Sequence, residues 1–188
     1  WEGDRIPEQW AEIVNKNYVK GIFVPSTFCA EVAKKATDKP VVVIPHGYDP
    51  KVFYRRKPVA FQQNKGFNFG FCGGWAQGKD DRKGFQMLLE EYCREFSKKD
   101  DVCLNAKFNM AYQSTEKIMH DIQLADIPPK EQRPAVNLLF QQMLPSELAE
   151  FYSSCDIMVS PTKGEAFSMP ALEALACGVP VVSPAYSA

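Results

Sequence analysis

The chain has 188 residues, 22 of them basic and 23 acidic, for a formal net charge of -1. That balance argues against a nucleic-acid partner, which would call for a clear basic excess. No apolar run approaches the roughly 18 residues of a membrane-crossing helix, so no membrane span is expected.

A composition of 45% hydrophobic and 24% charged residues is ordinary for a soluble protein of one domain or one and a half. Residue 1 is a tryptophan in an acidic stretch, without a signal peptide, and a start with no methionine reads as a piece of a longer protein. The six cysteines (Cys29, Cys72, Cys93, Cys103, Cys155 and Cys177) form no Cys-x-x-Cys pair. They read as buried free thiols of a reducing compartment, which implies a cytoplasmic location. His46 and His120 share no ligand spacing, so no metal site is expected.

Residues 7–17 read as an amphipathic helix with Trp10, Ile13 and Val14 on one side. Gly21–Val24 is a strand, and Ser26 can cap a helix over 27–36. Val41–Ile44 is apolar and β-branched, as in a sheet covered on both faces. A turn follows at Pro45–Pro50, and the uneven polar stretch over 54–66 reads as a linker. A second alternation starts at Phe67. Phe67–Cys72 is a strand, and Gly73-Gly74-Trp75 opens a polar loop. The helix at 83–97 repeats Phe85, Leu88, Leu89, Tyr92 and Phe96 at helical spacing. Val102–Phe108 is a strand, 114–125 a helix, Pro128–Pro134 an exposed loop and Val136–Phe140 a strand. Ser146 is placed to cap a helix at 147–154, and Asp156–Ser160 is a strand. A helix at 169–177 and a strand at Val181–Ser183 close the series. Strands alternating with helices in this way predict an α/β fold: a Rossmann-like parallel sheet with helices on both faces.

Two glutamates, Glu165 and Glu173, stand with seven residues between them. The helix at 169–177 is apolar around its circumference, starts with Ser168 and Pro170, and ends at Gly178 and Pro180. It reads as buried, with Glu173 its single charge. A buried carboxylate needs donors. The hydroxyls of a ribose would serve; a solvated position or a lysine partner is the other reading. Glu165 lies in a loop with Gly164, Ala166, Phe167, Ser168 and Met169. Small residues there let backbone N–H groups approach an anionic ligand at the helix start, with Glu165 accepting from sugar hydroxyls, unless it is simply a loop glutamate in water. Gly73 and Gly74 end a strand and let the backbone reach a ligand. Arg82 and Lys83 at the start of the next helix oppose its dipole, and a pyrophosphate would answer them; a surface basic pair is the plain alternative. Phe140-Gln141-Gln142-Met143-Leu144 follows a strand at the same end of the sheet, where main chain could contact a nucleotide base or form an ordinary loop.

Taken together, these motifs resemble the Glu-x7-Glu signature of retaining GT-B glycosyltransferases of family 4. The resemblance rests on Glu165 and Glu173 with the intervening Ala-Phe-Ser-Met-Pro-Ala-Leu, and on Leu144–Leu148, Phe151-Tyr152, Asp156–Thr162 and Ala176–Val182. Val24-Pro25-Ser26 and Val43–Asp49 are similar to the end of that family's N-terminal domain and its crossing into the second. The resemblance implies three parts: the end of an acceptor domain at 1–50, a linker at 51–66, and a truncated donor-binding domain at 67–188. Glu173 would hold the donor ribose, Glu165 would lie at the transferred sugar, and Lys83 with Arg82 would bind the diphosphate. Backbone around Ala166–Met169 would help hold phosphate and sugar. The implied activity is retaining transfer of a hexose-type sugar from a nucleotide-sugar, such as a UDP- or GDP-sugar, to a glycan, lipid or protein acceptor. The departing phosphate would assist the acceptor hydroxyl, and no cofactor or metal is required. The alternative is a piece that binds a nucleotide-sugar without catalysis of its own. A sugar epimerase on the same fold is disfavoured by the intact Glu-x7-Glu stretch. Trp75 stands where members often carry arginine, with Arg82 as the candidate replacement, and Ala166 and Ser168 replace the usual glycines. The family's reactive-site histidine would precede Trp1, and His46 is not its equivalent.

Overall fold

The computed structural model describes residues 2–57, 66–75, 81–111 and 113–187. Residues 58–65 of the expected linker and 76–80 of the polar loop after Trp75 lie outside them. The chain gathers into two compact units, one built from Tyr48–Lys163 with Pro170–Pro184 and the other from the residues before Tyr48 with Gly164–Met169 and the stretch from Ala185.

In the unit that starts the chain, helix α1 (Glu8–Val14) is followed by β1 (Ile22–Val24), α2 (Thr27–Lys34) and β2 (Val41–Val43). β1 and β2 pair in parallel. Ser26 caps α2 as expected, its hydroxyl accepting from the Cys29 N–H at 3.2 Å. The expected double cover of β2 is absent: Val42 is 47% exposed and Phe23 beside it 73% exposed. Only one face of this pair lies against α2, whose Cys29, Ala30, Val32 and Ala33 are buried.

The larger unit is a five-stranded, wholly parallel sheet in the order β5-β4-β3-β6-β7. Its elements are β3 (Phe67–Gly73), α3 (Phe85–Glu95), β4 (Val102–Phe108), α4 (Thr115–Gln123), β5 (Ala135–Leu139), α5 (Pro145–Ser153), β6 (Ile157–Val159), α6 (Met169–Ala176) and β7 (Val181–Val182). Successive side chains of a strand point to opposite faces, and two cores follow. Phe71, Leu104, Ala106 and Phe108 pack with Phe85, Leu89, Ile118 and Ile122 of α3 and α4. On the other face Met158 packs with Phe151, Tyr152, Ala174, Cys177 and Phe53, against the α5 and α6 side. Helices therefore cover both faces of the sheet, as the alternation predicted.

Two local readings change. Helix α5 starts at Pro145, ahead of the expected Ser146 cap, because proline suits a first turn. The Glu147 carboxylate accepts from the Leu144 N–H at 2.6 Å and closes that end. Helix α6 is not sealed: Ala174 is its one buried residue and Leu175 is 57% exposed. Its exit is the predicted one, since Gly178 adopts φ 79°. The N–H groups of Val179 and Gly178 return to the carbonyls of Ala174 and Leu175 at 3.0 and 2.9 Å, a Schellman closure.

Candidate functional site

Strand order reverses between β3 and β6, and a doubly wound sheet opens its ligand crevice at such a point, beyond the strands' carboxyl ends. The chain leaving β3 there is Gly73-Gly74-Trp75, and that leaving β6 is Ser160-Pro161-Thr162-Lys163.

Trp75 turns away from solvent. It is 0% exposed and lies against the rings of Phe85 and Phe108 at 5.6 and 6.1 Å. Its indole N–H donates to the Asp121 carboxylate at 3.0 Å, which Lys117 also engages at 2.5 Å. The residue in the usual arginine position thus anchors the strand exit to α4.

Arg82 and Lys83 lie in a turn just before α3, which starts at Phe85, two residues later than the sequence suggested. Asp81 organises this turn. Its carboxylate accepts from the N–H groups of Phe85 at 2.9 Å and Lys83 at 3.1 Å, and its carbonyl from Gly84 at 3.1 Å. Gly84 caps the helix at φ 73°, and a Cβ there would meet the Pro161 carbonyl oxygen at 2.3 Å. The Arg82 carbonyl accepts from the Lys163 N–H at 2.7 Å and from the Thr162 hydroxyl at 3.3 Å. The two strand exits are therefore stitched together through main chain. The Lys83 stem approaches Gly73, whose added Cβ would lie 3.4 Å from it.

A second lysine at this end belongs to none of the sequence motifs. Lys107 is the middle of the row Cys72–Lys107–Leu139 across β3, β4 and β5. It is half-buried, and its ammonium donates to the Phe108 carbonyl at 2.9 Å. It makes no ion pair among the described residues. Lys83 and Lys107 both favour the thiolate of Cys72, although burial prevails and pushes that thiol up. Beside Lys107, at the carboxyl ends of β4 and β5, a cavity of about 490 Å³ is lined by Phe108, Met110, Phe140, Gln141 and Met143. The rings of Phe108 and Phe140 stack at 5.5 Å. Phe140 and Gln141 thus border this cavity, while Leu144 lies at the start of α5 and is 66% exposed. A hollow of about 510 Å³ near Lys130 and Arg133 opens at the amino ends of β4 and β5. That is the end of the sheet opposite to the crevice.

Glu173 of α6 is half-buried, and its Oε2 accepts from the Tyr152 hydroxyl at 2.9 Å. Burial pushes the carboxyl above the usual range, and the Tyr152 hydrogen bond pulls it partly back. Its other oxygen accepts no hydrogen bond among the described residues. The sequence asked for donors to this carboxylate, and one of them is a protein phenol.

Glu165 belongs to the other unit and is 5% exposed. Its N–H donates to the Ser187 hydroxyl at 3.1 Å. The neighbouring small residues serve packing there. A Cβ on Gly164 would lie 2.5 Å from the Glu2 carbonyl oxygen, the Ala166 carbonyl accepts from the Cys29 thiol at 3.6 Å, and the Phe167 ring meets the His46 ring edge at 5.2 Å. Ser168 and Met169 are half-buried in the same segment. Among the described residues no cluster of His, Cys, Asp and Glu could hold a metal ion, and no helix is long and apolar enough to cross a membrane.

Solved structures share this architecture. The sucrose-phosphate synthase of Thermosynechococcus elongatus aligns with a TM-score of 0.69 at 22% identity, over 95% of this chain and 43% of that one. The pneumococcal O-GlcNAc transferase GtfA, solved with UDP and GlcNAc, aligns with a TM-score of 0.57 at 14% identity, over 97% of this chain and 36% of that one. The C-terminal domain of the group 1 glycosyl transferase LpcC from Francisella tularensis aligns with a TM-score of 0.52 at 20% identity, over 73% and 70%. The chain thus spans less than half the length of the first two. Its parallel sheet flanked by helices matches GT-B glycosyltransferase structures. No curated protein sequence matches it. The family model for glycosyl transferases group 1 matches residues 66–188, most of the chain, and the chain belongs to that family.

Proposed function

We propose that the unit built around β3–β7 binds the nucleotide-sugar donor of a retaining, hexosyl-type glycosyltransferase. The observation that carries this reading is the arrangement at the carboxyl end of the sheet: a half-buried carboxylate with one oxygen left to a ligand, two lysines, and an aromatic-lined cavity. In this reading Glu173 accepts from the donor ribose. Lys83 and Lys107 receive the diphosphate, with the backbone of Gly73 and Gly74 close by, and Arg82 contributes its main chain to the frame of the turn. The base enters the cavity beside Phe140 and Gln141. Glu165, assigned through the family motif, contacts the transferred sugar, and the backbone of Gly164–Met169 supports it. Cations beside a departing nucleoside diphosphate stabilise the charge that develops in the transition state, and preorganised charge of this kind supplies much of an enzyme's rate enhancement. Retention then follows if the departing phosphate takes the proton of the acceptor hydroxyl on the same face. The acceptor is a glycan, lipid or protein. All six cysteines are free, which fits a reducing compartment such as the cytoplasm.

A second reading keeps the binding and drops the turnover: this stretch alone holds the donor without transferring its sugar. Titration calorimetry with uridine, UDP, GDP and the matching nucleotide-sugars, beside a transfer assay on the same sample, tests both. Diphosphates are expected to bind about tenfold or more tighter than nucleosides, from the worth of charge-assisted hydrogen bonds. Equal affinity for uridine and UDP, and for guanosine and GDP, would remove the donor-site reading, and sugar transfer by this stretch would remove the second.

A further inference from the structure

Tyr152 is 0% exposed on α5, and its ring lies against those of Phe151 and Phe53 at 5.7 and 6.3 Å. A buried phenol hydroxyl needs a partner. Two are within its reach: the Cys72 thiol at the end of β3 and the Glu173 carboxylate on α6. Burial pushes the ionisation of Tyr152 far up, so the hydroxyl keeps its proton. It donates that proton in a hydrogen bond to Oε2 of Glu173 at 2.9 Å. A carboxylate on a flexible side chain turns easily about its last torsion. One oxygen fixed by a buried, rigid donor fixes the plane of the whole group and commits the other oxygen to whatever enters the crevice.

We propose that Tyr152 is a positioning residue, which holds the Glu173 carboxylate in the orientation that receives the ribose hydroxyls of the donor. The inference rests on the ribose reading of Glu173 given above. It adds a residue buried in the core to the specificity of the site, and it assigns Tyr152 the discrimination between ribose and deoxyribose.

Calorimetry on the full chain with UDP and its 2′-deoxy and 3′-deoxy forms tests this. In the native protein, loss of the hydroxyl that Glu173 accepts is expected to weaken binding about tenfold. In Tyr152→Phe, which keeps the ring and its packing, UDP binding weakens and the deoxy penalty shrinks to about twofold. An unchanged deoxy penalty in Tyr152→Phe overturns the proposal, whatever happens to overall affinity. Cys72→Ala removes the other partner and leaves the bond to Glu173, so the full deoxy penalty is expected to persist. Its loss in Cys72→Ala would assign the effect to packing and also overturn the proposal. Glu173→Gln separates the two levels of inference. Unchanged UDP affinity in that variant refutes the ribose reading itself, whereas weakened binding there with an unchanged deoxy penalty in Tyr152→Phe refutes the positioning role alone.

Discussion

The two faces of the five-stranded sheet are built from different chemistry. Toward α3 and α4 the strands present Phe71, Leu104, Ala106 and Phe108 to an aromatic and aliphatic core. On the opposite face the same strands carry Asn68, Cys72, Cys103, Asn105, Lys107 and Asn137. Three of these form a ladder across the sheet: the amide of Asn137 donates to Asn105 at 2.9 Å, and that of Asn105 to Asn68 at 3.2 Å. Asn137 also reaches the Cys103 sulfur at 3.3 Å, and burial pushes that thiol up to about 11. The lesson is a division of labour between faces. One face supplies cohesion through buried apolar area. The other adds to its own apolar core around Met158 and Phe151 a set of paired buried polar groups, and ends with Lys107 and the Cys72–Tyr152–Glu173 cluster at the crevice.

That contrast can be broken at either face. The largest effect is expected from Phe108→Ala, because Phe108 is 0% exposed and its ring meets those of Phe71, Trp75, Phe85 and Phe140. A loss of about 3 to 5 kcal/mol is expected by denaturant unfolding. A loss below about 1 kcal/mol would mean that the aromatic face is not the source of cohesion. Asn105→Ala is next. It takes the donor away from the Asn68 side-chain oxygen and leaves the Asn137 amide with only the Cys103 sulfur as acceptor. A cost of about 2 kcal/mol is expected, since an orphaned buried polar group costs about 1 to 3. A neutral substitution would show that the ladder is dispensable.

Lys107→Ala sharpens the contrast from the functional side. Unfolding is expected to change little, while affinity for a nucleoside diphosphate falls about tenfold and that for the nucleoside stays the same. A parallel drop for both ligands would move Lys107 away from the diphosphate. The smallest effect is expected from Glu173→Gln and has the opposite sign in stability. The folded protein holds the Glu173 carboxyl above its ordinary range, mainly by burial. Folding therefore favours the protonated form, and stability falls as pH rises from the ordinary carboxylate range through the raised value. At neutral pH the charge is a net cost, so the glutamine variant is expected to melt slightly higher there and to lose that advantage in acid. A lower melting temperature at neutral pH would contradict this. The same variant should lose nucleotide affinity, which separates its role in binding from its role in the fold.

Much of this is legible in the residues. The period-2 runs at Phe67–Cys72 and Val102–Phe108 and the helical spacing from Phe85 locate β3, β4 and α3 nearly to the residue. Ser26 and Gly178 act as the caps they resemble. The differences have physical causes. Val41–Val43 is apolar enough for a doubly covered strand, but cover depends on what other chain segments lie above it. Spacing puts Arg82 and Lys83 in a helix whose real start is decided by Asp81, four residues ahead of Phe85. Trp75 reads as a missing arginine, and nothing local reveals that its N–H finds Asp121, 46 positions further on. Lys107 does carry a local signal: it shares a strand face with Asn105 and Cys103, a polar series inside an apolar strand.

The sequence alone determined the class of fold, the order of its elements and the family, because periodicity, caps and a dense run of motifs are local properties of the chain. Tertiary structure alone decided which polar groups converge at the end of the sheet. The row Cys72–Lys107–Leu139 and the bond from Tyr152 to Glu173 join residues of different strands and helices. Strand register and helix packing set those meetings, and in each case burial forces a polar group to find its partner through space rather than along the chain.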